Sequence, residues 1–243
     1  MRALPLLALL AACNAAPSEA DLASAGQVGY RDGEGDTTNS GERGCVKISE
    51  VLWTGSMTDA GVLQKDDVFV ELRNECDRPL NISHWLLELS GSIDRSWRIP
   101  GPPDGQAPRV IDVGEHAFIA RRSDGCFPDP DWVIPTLELP FGDALRLTLL
   151  DQDERLIEPA GSRSMPPFAG GYDGVSVRAM ERLEIMFGGR GDEPSSWHFY
   201  TNAPVDVANN DRVAASCRQR TLASPGRPNS PDYSGAFAAG SFE

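Results

Sequence analysis

Positive charge is scarce in this chain. Its 243 residues include 22 Lys and Arg against 36 Asp and Glu, a formal charge of -14 at pH 7. Such a balance is not built to neutralise phosphates, and nucleic acid is set aside as a partner. Histidine is scarce too, with three residues, His84, His116 and His198. None stands in a nucleophile–base motif, and no Gly-x-Ser-x-Gly elbow or phosphate-binding Gly loop occurs. The five Cys are widely spaced without a Cys-x-x-Cys pair, which with so few His argues against a zinc site. The apolar runs fall short of the ~20 residues that span a bilayer. No long stretch carries a helical apolar stripe, and no solenoid-length repeat is present. These absences leave no metal and no cofactor to expect.

What is present starts at the N-terminus. Arg2 precedes an apolar stretch from residue 3, which ends in Leu9-Leu10-Ala11-Ala12-Cys13. A positive start, an apolar segment and small residues at a cut site make a secretory signal. The segment resembles the lipobox of bacterial lipoproteins, whose Cys receives a diacylglycerol before the chain is cut in front of it. The resemblance implies a mature chain that begins at lipidated Cys13 and is held to a membrane by acyl chains, such as palmitate. Each buried CH₂ contributes ~0.8 kcal/mol, and two or more chains anchor stably. Asn14 after the Cys, instead of Asp, resembles signals for outer-membrane delivery. The alternative is an ordinary export signal cut near Ala15 or Ala16.

Cysteine usage agrees with export. With Cys13 lipidated, Cys45, Cys76, Cys126 and Cys217 remain, enough for two disulfides outside the cytoplasm. Residues 13–43 hold the lipidated Cys and a linker of small and acidic residues with too little apolar surface to offset ordering entropy. The expected organisation is a signal peptide over 1–12, a flexible linker over 13–43, a domain over 44–230 and a flexible tail over 231–243.

Within the domain, Gly (24 in the chain) and Pro (19) are frequent, and apolar residues recur with period two between turns, as in half-buried strands. Val68, Val70 and Leu72 alternate with Phe69, Glu71 and Arg73. Trp85, Leu87 and Leu89 alternate with Leu86 and Glu88, and Leu145, Leu147 and Leu149 with Arg146 and Thr148. Val177, Ala179, Leu183 and Ile185 share one parity, interrupted by Glu181. Further strands are expected at Val46–Trp53, His116–Ala120 and Leu156–Glu158. In Val46–Trp53 the parity slips, which predicts either a bulge near Ser49-Glu50 or a strand buried on both faces. Seven or so short strands with frequent turns give an all-β, two-sheet sandwich.

The domain resembles the lamin-tail domain, an immunoglobulin-like β-sandwich. Val46-Lys47-Ile48-Ser49-Glu50-Val51 is similar to the family's opening strand, with Ser49 in place of Asn. Asp67 to Asn74 is similar to its second strand. Leu80-Asn81-Ile82-Ser83-His84-Trp85-Leu86-Leu87 is similar to its Leu-Ser-Gly-Trp-x-Leu segment, with His84 in place of Gly. Leu147 to Asp153, then Ser176 to Leu183 with Trp197, follow in the family's order. Ser224-Pro225-Gly226-Arg227-Pro228-Asn229 is similar to its closing Thr-Pro-Gly-x-x-Asn. Residues 91 to 136 match poorly. The resemblance implies an interaction or tethering module.

Carboxylates are the main chemical resource. Glu50 and Glu71 occupy the two best-matched strands, and Glu181 and Arg182 a third. A buried acid needs a partner, and Arg182 is expected to pair with Glu50 or Glu71 inside the sandwich. Asp151, Asp153 and Glu154 offer oxygen ligands for Ca²⁺ but not in the EF-hand pattern; an acidic hairpin turn is the simpler expectation. Arg190-Gly191-Asp192 and the sequon Asn81-Ile82-Ser83 are read as chance matches. If the second strand lies antiparallel beside the first, Cys45 meets Cys76, leaving Cys126 to Cys217.

These readings converge on a lipid-anchored envelope protein with a noncatalytic binding, attachment or structural module at the cell surface. Its expected partners are the membrane and an envelope protein or glycan. The rival is a metal-assisted hydrolase, which requires Glu50, Glu71 and Asp153 to converge in an open cleft. Lipidation is tested directly: a fatty-acid analogue fed to cells should label the protein, and Cys13→Ser should abolish the label. An unlabelled wild type whose N-terminus lies beyond Cys13 refutes the anchor.

Overall fold

The computed structural model describes residues 41–183, 189–201, 207 and 209–231. The signal peptide, Cys13, the linker up to residue 40 and the tail from 232 lie outside the described residues. Among the described residues the chain forms many short strands and one 3-10 turn, Pro194–Ser196. The strands of the first half are β1 (Val46–Leu52), β2 (Ser56–Met57), β3 (Leu63–Gln64), β4 (Phe69–Asn74), β5 (Leu80–Asn81), β6 (Leu86–Gly91), β7 (Arg95–Arg98), β8 (Val110–Ile111) and β9 (His116–Ala120). Then come β10 (Trp132–Val133), β11 (Leu145–Leu150), β12 (Leu156–Gly161), β13 (Gly171–Tyr172), β14 (Val177–Arg178), β15 (Met180–Arg182), β16 (Trp197–Phe199) and β17 (Thr221–Leu222).

Two sheets make a β-sandwich. The larger runs β10-β9-β4-β1-β15-β16 and the smaller β12-β11-β6-β7. Every pairing in them is antiparallel except β9 with β10. Three small sheets accompany them, β13-β14-β17, β2-β3 and β5-β8. Alternation decides which side chains meet. Val70, Leu72, Ala117, Ile119 and Met180 of the large sheet face Leu87, Leu89, Leu145, Leu147 and Leu149 of the small one. Trp85 and Trp97 lie in the same core.

The opposite face of the large sheet is buried as well. Leu52, Phe69, Phe118 and Ala120 pack there against Phe127, Val177, Val213 and Leu222. Phe69 meets Phe118 and Phe127 edge-on, with ring centroids at 5.6 and 4.8 Å. Strand β1 therefore has a core on each side. It also carries the bulge: Ile48 pairs with Leu72 and Glu50 with Glu71, leaving Ser49 as the extra residue. The two readings of Val46–Trp53 thus hold together, because the bulge turns Val51 into the inter-sheet core while Leu52 enters the second core.

One expected strand is divided. Residues 177 to 182 switch sheets at Ala179: β14 pairs with β13 and β17, whereas β15 joins β1 and β16. The hydrogen bonds change partner there, Ala179 N–H donating to Leu222 O and Tyr200 N–H to Ala179 O. Ile185 lies outside the described residues. His84 holds a left-handed backbone, with φ of 67°, a region that favours glycine.

Both disulfides are formed. Cys45 joins Cys76 with Cα atoms 4.6 Å apart, and Cys126 joins Cys217 at 5.8 Å. The first follows from antiparallel pairing, since Val46 stands opposite Asn74. The second fastens the turn after β9 to the segment before β17, and so holds the cover of the second core. Its partners are 91 residues apart, and a bond closing so long a loop stabilises by about 2–4 kcal/mol. Replacing Cys126 and Cys217 together by Ser should lower the unfolding free energy by about that amount in urea titrations.

Candidate functional site

The densest chemistry lies on the second-core face of the large sheet. Glu71, Glu50 and Glu181 are register neighbours on β4, β1 and β15, and none is exposed to solvent. Directly opposed residues on adjacent strands approach to about 4.5–5.5 Å, so the three carboxyl groups form one row. Imidazoles stand at both ends. His116 Nδ1 lies 2.8 Å from Glu71 Oε1, and His198 Nε2 lies 3.8 Å from Glu181 Oε2.

The closing segment, residues 224–230, lies across this row and supplies its donors. Ser224 N–H donates to Glu50 Oε1 at 2.9 Å, and Gly226 N–H to Glu71 Oε2 at 2.5 Å. Ser230 donates to Glu181 Oε2 through its N–H at 3.1 Å and also through its hydroxyl. Ser49, the bulge residue, donates its hydroxyl to Glu71 Oε1 at 2.9 Å. Asn229 Nδ2 donates to Ser49 O at 2.9 Å and Arg182 O at 2.8 Å, so the segment is held to the backbone of the sheet too.

Burial sets the electrostatics. Desolvation, then the charges of Glu181 and Glu71, push the Glu50 carboxyl well above its usual range. Desolvation likewise raises Glu181, up to about 7, against the hydrogen bonds from Ser224 and Ser230. A further buried acid, Asp67, is raised by burial although Ser56 donates its hydroxyl at 2.5 Å and Cys126 its N–H at 2.6 Å.

The expected pairing of Arg182 with Glu50 or Glu71 is incorrect. Arg182 follows Glu181 on a strand, and successive side chains point to opposite faces. Glu181 joins the acid row, while Arg182 turns toward the inter-sheet side. There its Nη1 donates to Glu158 Oε1 of β12 at 3.0 Å, and its guanidinium lies 5.1 Å from the Trp197 ring. Desolvation raises Glu158 and lowers Arg182 more than their mutual attraction opposes it. The pair thus ties the two sheets together without being a large source of stability.

The carboxylates named for a hydrolase do not converge in an open cleft. Glu50 and Glu71 are neighbours but covered, and Asp153 lies in the β11–β12 turn of the other sheet, 59% exposed. That turn is closed on itself: Asp151 accepts the N–H groups of Asp153 and Arg155 at 3.0 and 2.9 Å, and the Arg155 side chain at 2.9 Å. Among the described residues no group of His, Cys, Asp and Glu is arranged to hold a metal ion. Arg190 is engaged with Asp192, and Gly191 O accepts the Trp197 indole N–H at 2.8 Å. Asn81 is buried, with its amide oxygen on Ser83 N–H at 2.9 Å.

An open region lies elsewhere. Beyond the end of β1 remote from Cys45, Trp53 meets Phe141 edge-on at 6.0 Å, and Lys65 Nζ stands 4.8 Å from the Phe141 ring centre. Phe141 is 44% exposed and Tyr172, after the glycine that abuts Trp53, 46%. A shallow groove of about 580 Å³ runs beside β7, lined by Arg95, Trp97, Arg121, Asp66, Thr136 and Glu138.

The chain matches no protein-family model. No curated protein matches it either. Among solved structures it is similar to a DUF4876 family protein from Bacteroides thetaiotaomicron, at 10% identity and a TM-score of 0.43 over 73% of this chain and 76% of that one.

Sequence reasoning found Glu50, Glu71 and the closing motif but not the link between them, and it missed Glu158. Alternation held part of the signal, since it sends Arg182 to the face opposite Glu181, whereas the link to the closing motif runs largely through backbone N–H groups that no residue pattern marks. Arg182→Ala strips a charge partner from buried Glu158 and should cost about 3–5 kcal/mol in chemical denaturation. Adding Glu158→Gln should recover a good part of that loss.

Proposed function

We propose that this protein is a lipid-anchored component of a bacterial envelope whose lamin-tail-like sandwich acts as a noncatalytic attachment module. One observation carries the noncatalytic part: the clustered acids are consumed in holding the chain's own closing segment. Catalytic carboxylates must reach a substrate, and these three have no exposed surface. The disulfides favour an oxidising compartment, in keeping with the signal-like N-terminus.

The lamin-tail reading draws support from two local features. The motif that His84 interrupts carries Gly in that family, and His84 holds the positive φ that a Gly supplies without strain. The closing Ser-Pro-Gly-x-x-Asn motif lies across the central strands, with Ser224, Gly226 and Asn229 all bonded to the sheet.

The test uses the full-length protein, solubilised for assay and in intact cells for partner capture. Detergent-solubilised protein should be inert toward ester, glycoside and phosphodiester substrates with or without added divalent metals. Cross-linking in intact cells should give one defined adduct, whose mass and glycosidase sensitivity separate a protein partner from a glycan. Hydrolysis that disappears in Glu50→Gln would establish the metal-assisted enzyme instead.

A further inference from the structure

The hydrogen bonds of the acid row do not balance if all three carboxyls are ionised. Ser224 Oγ lies 2.6 Å from Glu181 Oε1 and 3.3 Å from Glu50 Oε2. A hydroxyl carries one hydrogen and accepts with its lone pairs. Given to the nearer Glu181, that hydrogen leaves Ser224 Oγ facing Glu50 as an acceptor. The contact is attractive when Glu50 keeps its proton and donates it, giving a chain from Glu50 O–H to Ser224 Oγ and from Ser224 O–H to Glu181.

The surroundings reinforce this. Facing Glu50 across the strands are Glu71 and Glu181, and beyond them His116 and His198. On the closing segment, Arg227 turns outward to Asn209 O and Asp211. Arg212, packed under Gly226, reaches Asp131. Neither guanidinium is aimed at the row.

We propose that the closing segment is a proton-dependent latch: it lies shut on the sheet while the Glu50–Glu71–Glu181 row retains a proton, and loosens when that proton leaves. The sign follows from the raised carboxyls. Both favour the protonated form when closed, so their contribution is complete below the ordinary carboxylate range. It fades as pH rises, through about 7 for Glu181, and the Glu50 carboxyl, held well above its usual range by burial, acts in the same direction. The latch is thus tightest in acid, below the ordinary carboxylate range, and loosens progressively toward neutral and alkaline pH. Each proton released on opening changes the opening equilibrium by about tenfold per pH unit within this window.

Hydrogen exchange of the full chain, corrected at each pH for intrinsic rates, reads this locally. Protection of residues 221–231 should fall at least about tenfold between about pH 5.5 and about pH 7.5, while β11 keeps its protection. Glu50→Gln, which mimics the protonated acid, should reduce that slope. A flat wild-type profile, an equal loss across both sheets, or an unchanged slope in the variant overturns the latch. Should Glu50→Gln fail to fold, the wild-type profile decides alone.

Discussion

A strand covered on both faces has no side left for water, and every polar group on it must be answered by the protein. Strand β1 is such a strand, and it carries Glu50 at its middle. This constraint shapes much of what surrounds it. Glu71 and Glu181 share the problem because antiparallel register sets them beside Glu50. The closing segment crosses at this point because its amides and hydroxyls are the donors the row lacks. The disulfide from Cys126 to Cys217 keeps in place the apolar cover on which the row's isolation from solvent depends.

The two buried polar systems solve different problems. Arg182 and Glu158 bridge the sandwich between sheets, with charge facing charge. The acid row is bridged by backbone amides, hydroxyls and an imidazole. Amides of a short segment cannot be supplied singly: they come as a group or are lost as a group. The fit of the closing segment is therefore a collective property, more sensitive to backbone course than to any one side chain.

The strands were readable from the chain because period two survives in β4, β6 and β11, each with one face in the inter-sheet core. In β1 the bulge breaks the period, and the slip at Ser49-Glu50 admitted two explanations that turned out to coexist. The sheet switch at Ala179 left no trace, because Val177 and Ala179 enter the second core at the parity one continuous strand would give. Arg182 was paired with Glu50 or Glu71 because a buried acid needs a partner, without regard to which face it takes. Alternation from Glu181 points it elsewhere. The closing motif was visible by resemblance, yet its role was not. Its main donors are backbone N–H groups, which nearly every residue possesses and which only the folded path aims.

The bond between Cys45 and Cys76 has a mechanical consequence. It sits where the described chain enters the sandwich, just before β1. A pull applied upstream of Gly41 meets the Glu42–Arg78 ion pair and the hydrogen bond from Gly44 N–H to Ile157 O. It then reaches Cys45, where the covalent bridge divides the load between β1 and β4. Without the bridge, β1 would unzip from its end, one rung at a time. With it, the ladder from Val46↔Asn74 to Leu52↔Phe69 is pinned at the end where peeling would start. A force entering from the N-terminal side is therefore carried by a covalent crosslink before it reaches the β1–β4 ladder.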